Sequence, residues 1–123
     1  MKLKLLKNRF AVCKLPLAAE IGLALEYAFF AKTTEEISLV CKEEDAPKDA
    51  LAVEGGWHGF QILGMLDFSL VGILAKISGI LADEGIPVFV VSTYDTDYIF
   101  MKNDFCVKAT HALMANGYEV YGE

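Results

Sequence analysis

"LDFSLVGILAKISGILADEGIPVFVVSTYDTDYIFM", residues 66–101, carries two periodicities back to back. Leu70, Ile73, Leu74, Ile77, Ile80 and Leu81 recur at three and four, the apolar face of an α-helix. Ser69 is placed to cap its start, and Gly85 with Pro87 stops it. The pattern then changes. "PVFVVST" (87–93) and "YIFMK" (98–102) are rich in β-branched and aromatic residues, with hydroxyls and acids between them. That spacing predicts a strand, a turn and a strand.

Working outward, "WHGFQILGML" (57–66) reads as a strand before the helix. "DFCVKATHALMANG" (104–117) reads as a second helix, capped at Asn103 or Asp104 and closed by Gly117. "YEVY" (118–121) is a last strand. The order is β-α-β-β-α-β, with room between the helices for only a hairpin. The expected fold class is α+β and ferredoxin-like: antiparallel strands with both helices mainly on one face.

The first half reads as a worn copy. Strands are expected in "LKLLKN" (3–8), "RFAVCKL" (9–15), "AFFAK" (28–32), "ISLVCK" (37–42) and "LAVEGG" (51–56). "LAAEIGLALEY" (17–27) suits one or two helical turns, and "EEDAPKDA" (43–50) a loop or single turn. Shifted by sixty positions, Phe29 falls on Phe89, Thr33 on Thr93, Glu35 on Asp95, Lys42 on Lys102 and Glu44 on Asp104. This order of elements points to a duplication. Two tandem units follow: a shortened one at 1–56 and a complete one at 57–123. Each is too small to be comfortable alone, so one shared core is expected. The glycines of "VEGGWHGF" (53–60) are expected to serve a linker between them, with Trp57 as filler.

Composition narrows the function. Hydrophobic residues make up 54% of 123, enough for a packed core. A formal charge of −6 disfavours nucleic acid, whose binding needs a basic surface, and mildly favours cationic solutes. The nearest approach to a membrane span, "LAAEIGLALEYAFFA" (17–31), is broken by Glu20 and Glu26, so no membrane partner is expected. "MKLKLLKNRFAVCK" lacks the apolar core and cleavage site of a signal peptide. Cys13, Cys41 and Cys106 each sit in an apolar run, as buried thiols do in a reducing cytoplasm. His58 and His111 stand far apart, and no Cys-x-x-Cys, His-x-x-x-His, Gly-x-Ser-x-Gly or phosphate loop occurs. No catalysis, metal or cofactor is therefore expected.

The stretch 66–101 resembles the ACT regulatory module. It is similar in particular to the subgroup of small bacterial tandem-ACT proteins related to the animal cytosolic arginine sensors. Val71-Gly72-Ile73 and Ser92-Thr93-Tyr94-Asp95-Thr96-Asp97 stand at the matching positions. The resemblance covers 57–120 closely and 1–56 loosely, where the glycine-marked helix start is missing. It implies an amino-acid-binding or regulatory domain, with ligand contacts from Asp67, Phe68, Ser69, Leu70, Val71, Gly72 and Ile73 and from Ser92, Thr93, Tyr94, Asp95, Thr96 and Asp97.

Physical chemistry makes those roles sensible. Unpaired N–H groups at a helix start suit a carboxylate. Gly72, without Cβ, lets a ligand approach. Asp67, Asp95 and Asp97 suit an ammonium or a basic side chain. Plainer readings stand beside these. Asp67 and Ser69 cap helices in many proteins. Gly72 suits close helix–strand packing, and Asp95-Thr96-Asp97 suits a simple hairpin turn.

Two functions remain in view: a sensor of a free, preferentially cationic amino acid, and a ligand-free assembly module that pairs through ACT sheets. Short edge strands such as "YEVY" and "LKLL" favour a symmetric homodimer. The regulated partner is expected to be a separate protein or a neighbouring subunit.

Overall fold

The computed structural model describes residues 1–19, 24–63 and 72–122. Its strands are β1 (Lys2–Leu5), β2 (Phe10–Leu15), β3 (Ala28–Lys32), β4 (Ile37–Lys42), β5 (Ala52–Ile62), β6 (Phe89–Ser92), β7 (Asp97–Lys102) and β8 (Glu119–Gly122). Its helices are α1 (Ile73–Asp83) and α2 (Cys106–Ala115). The chain divides into a larger unit, Met1–Lys7 with His58–Glu123, and a smaller one, Asn8–Trp57. This division places the first seven residues with the larger unit and Trp57 with the smaller one.

In the larger unit the strand order is β6-β7-β5-β1-β8. Without β1 this is the expected ferredoxin-like β-α-β-β-α-β plan. β1 is an added strand, antiparallel to β5 and parallel to β8. Its pleat explains the fit: Leu3 pairs with Ile62 and Leu5 with Phe60, so alternate leucines share the apolar face of β5. On that face Leu3, Phe60, Ile62, Ile99 and Met101 form one cluster with Ile77 and Leu81 of α1 and Ala109 and Leu113 of α2. Both helices therefore cover the same face, each presenting residues four apart. On the other face Phe89 stacks on the fully buried Phe100, ring centroids 4.8 Å apart.

The helix ends follow the sequence in part. Ile86 N–H donates to the Leu81 carbonyl at 3.0 Å, and Tyr118 N–H to Leu113 at 3.1 Å, closing α1 and α2 beside the expected Gly85 and Gly117. The expected cap of α2 is corrected. Asn103 and Asp104 lie in a 3-10 turn, Asn103–Phe105, and α2 starts after Phe105 without a side-chain cap bond.

The smaller unit has the order β3-β4-β2-β5, with Ala11, Cys13, Leu15, Ile37, Leu39 and Cys41 as its buried cluster. A 3-10 turn, Glu43–Asp45, follows β4 as Asn103–Phe105 follows β7, but residues 46–50 hold no helix in the place of α2. Residues 20–23 lie outside the described residues; the rest of 17–27 holds no helix. The glycines expected in a linker lie inside strand β5 instead. Phe10 pairs with Trp57 and Val12 with Glu54, which leaves one extra residue on β5. That bulge holds Gly56 at φ 80°, a conformation that L side chains rarely adopt. Its N–H donates to Glu43 Oε2 at 2.6 Å.

Candidate functional site

The turn between β6 and β7 is closed by its own side chains. Thr93 N–H donates to the Thr96 carbonyl at 2.8 Å, and Thr93 Oγ1 donates to the same carbonyl at 3.0 Å. Thr96 N–H donates back to Thr93 Oγ1 at 3.3 Å. Such self-bracing is what Thr does when the chain must reverse. Thr96 Oγ1 then donates to the Ile62 carbonyl at 2.5 Å, which fixes the turn to the last residue of β5.

Exposure sorts the residues of this stretch. Ser92, Thr93, Tyr94 and Asp95 are exposed, Tyr94 at 90%. Asp97 is half-buried and pairs with Ser92. Strand alternation puts Asp97 on the face of Ile99 and Met101, the one the helices cover. Thr96 is the buried polar residue among those described, at 9% exposure. Tyr98 is half-buried, and that burial pushes its phenol above its ordinary range.

The helix side of the candidate site is described from Gly72 onward. Gly72 is exposed at φ 85° and is the N-cap of α1, with no side-chain cap bond. Its carbonyl accepts from Lys76 N–H at 2.9 Å, the first helical bond. A Cβ there would meet nothing within 4 Å, so the left-handed backbone, and no crowding, is what calls for glycine. The first turn of α1 carries no acid, so its N–H end is left electropositive. Ile73 is half-buried and packs on the core. Asp67, Phe68, Ser69, Leu70 and Val71 lie outside the described residues.

The turn is pinned to the end of β5, and α1 begins after that strand. Leu63 N–H donates to the Lys2 carbonyl at 2.9 Å and Glu119 N–H to Met1 at 3.0 Å, so β1 and β8 also begin there. A cleft of about 420 Å³ opens at this end, lined by Met1, Lys76, Ile80, Asn116, Gly117 and Tyr118. Sequence reasoning missed the burial of Thr96 and the place of β1, a strand expected in the first unit that lies instead between β5 and β8 of the larger one. The signal for β1 was the alternation of Leu3 and Leu5 with lysines.

Elsewhere, Cys13, Cys41 and Cys106 are buried and free, and burial raises all three thiols. Among the described residues no three His, Cys, Asp or Glu side chains gather as metal ligands. No helix among them is long and apolar enough to cross a membrane.

The sequence pattern of the ACT domain matches residues 52–115. A structure of a protein from Agrobacterium tumefaciens is similar over 99% of this chain and 92% of its own, at 28% identity and a TM-score of 0.88. A Vibrio cholerae protein described as a possible transport protein matches over 93% of this chain and 88% of its own, at 23% identity and TM-score 0.72. The regulatory subunit of aspartate kinase from Thermus thermophilus, in ligand-free form, matches over 92% of this chain and 94% of its own. Its identity is 10% and its TM-score 0.65, a likeness of fold alone. No curated protein sequence matches the chain.

Proposed function

Because this chain belongs to the ACT domain family, whose pattern spans residues 52–115, we propose that it is a non-catalytic regulatory protein that binds a free amino acid. The observation that carries the reading is the pinned turn. It holds hydroxyls and two acids at the end of β5, from which the chain runs on toward the N-cap of α1. In this reading the N–H groups at the start of α1 take the ligand carboxylate. Asp95 or Asp97 takes the ammonium or a cationic side chain, and Ser92 and Thr93 add neutral hydrogen bonds. Residues 67–71 complete the site. A cationic amino acid fits best, in line with the subgroup that includes the animal arginine sensors and with the acidic net charge. Each unit is read as ACT-like, the smaller one without its second helix. In this reading the protein acts in the cytoplasm.

A thermal-shift screen of the common amino acids tests this. A ligand at a hundred times its Kd stabilises by about 2.7 kcal/mol, which gives a readily seen shift. Arginine or lysine should shift the midpoint more than neutral residues do. No shift from any amino acid at millimolar concentration would overturn the reading.

A second reading, a ligand-free assembly module, draws support from β3. This strand ends the strand order of its unit, and Phe30 on it is 50% exposed. An apolar edge of this kind suits pairing with a second copy. Light scattering should then give a dimer without ligand; a monomer at high micromolar concentration would contradict it.

A further inference from the structure

We infer that Thr96 is the positioning residue of this site: its hydroxyl is committed to the Ile62 carbonyl, and through that bond it sets where Asp95 and Asp97 stand. The inference rests on the amino-acid-binding reading of the turn and gives Thr96 a different task from its neighbours. Both of its donors are in use. The N–H goes to Thr93 Oγ1 at 3.3 Å and the O–H to Ile62 at 2.5 Å. Its carbonyl already accepts from Thr93 twice. A hydroxyl buried to this degree is costly unless bonded, so the contact with Ile62 is what makes Thr tolerable there.

The smaller unit supplies an internal comparison. Its turn closes in the same way, Thr33 N–H donating to the Glu36 carbonyl at 2.9 Å and Glu36 N–H to Thr33 Oγ1 at 3.1 Å. At the position of Thr96 it has Glu36, which is exposed and accepts from the Ser38 hydroxyl at 2.7 Å. Closing the turn therefore needs no buried pin. What the pin adds in the larger unit is location. Asp95 and Asp97 flank Thr96 directly, so freeing it releases both carboxylates together.

Calorimetry with L-arginine and its neutral isostere L-citrulline as probes tests the inference. Thr96→Val keeps the shape and removes the donor; Thr96→Ser keeps the donor. Thr96→Val should weaken arginine by about tenfold or more and shrink its preference over citrulline, while Thr96→Ser stays within about threefold of wild type. Glu36→Val should leave arginine binding unchanged. Thr96→Val binding arginine as wild type does would overturn the role. If wild type binds neither probe, the ligand reading is what fails. Amide exchange then judges the pin. Exchange over 93–97 about tenfold faster in Thr96→Val supports it, and unchanged exchange overturns it.

Discussion

Thr33 and Thr93 make the same three hydrogen bonds sixty residues apart. Each donates its N–H and its hydroxyl to the carbonyl three residues on, and each hydroxyl accepts the N–H of that same residue. The strands that leave these turns, Ile37–Lys42 and Asp97–Lys102, are of equal length, and each runs into a 3-10 turn. The likeness of the two turns thus reaches down to side-chain bonding. Thr33→Val and Thr93→Val should each cost about 1 kcal/mol in urea unfolding. Only Thr93→Val should also weaken an amino-acid ligand. Equal effects on binding would contradict the placement of the site in the larger unit.

Two neighbouring glycines should fail for different reasons. At Gly56 an added Cβ meets nothing within 4 Å, so Gly56→Ala costs only backbone strain at φ 80°, about 1–2 kcal/mol. At Gly59 the Cβ would lie 2.8 Å from the Phe100 ring, and Phe100 is fully buried. Gly59→Ala is an overpacking change of about 1–3 kcal/mol. Trimming the ring with Phe100→Leu should relieve the alanine at 59 and leave the alanine at 56 unhelped. Urea denaturation of the three single and two double variants decides this; relief at both positions would contradict it.

The thiol of Cys41 is pushed up to about 12, chiefly by burial, with Cys13 and Asp45 beside it adding to the shift. Its ordinary value is near 9. The folded state keeps this proton longer than the unfolded chain does, so the thiol's stabilising contribution is whole below pH 9. It is lost as pH rises from 9 toward 12. The stability gap between wild type and Cys41→Ala should be constant up to pH 9 and narrow by pH 11. A gap that holds or widens over that range would contradict the burial of a neutral thiol.

Much of the fold was legible because its signals are local. The helix face from Ile73 to Leu81 and the strands around 89–102 announce themselves by period, and α1 and β5 to β8 follow. What escaped depends on partners distant in sequence. Nothing in "KLKL" says that it lies between β5 and β8. The glycines of "VEGGW" look like a linker until Phe10 and Val12 pair across them and Glu43 holds Gly56. Ser69, a cap by residue type, lies outside the described residues; the N-cap of α1 is Gly72. At the site, the turn residues were visible by type. That Thr96 alone among Ser92–Thr96 is buried depends on a carbonyl 34 residues earlier, which no local pattern encodes.

The most direct test of the central claim is calorimetry of L-arginine binding to wild type, Asp95→Asn and Asp97→Asn. If this turn supplies the anionic half of the site, at least one substitution should weaken binding by roughly 1.5–3 kcal/mol, the scale of a charged hydrogen bond. Stability without ligand should change much less, since Asp95 is exposed and Asp97 half-buried. Unchanged affinity in both variants, with a large loss of stability, would make the stretch a structural turn and contradict the account.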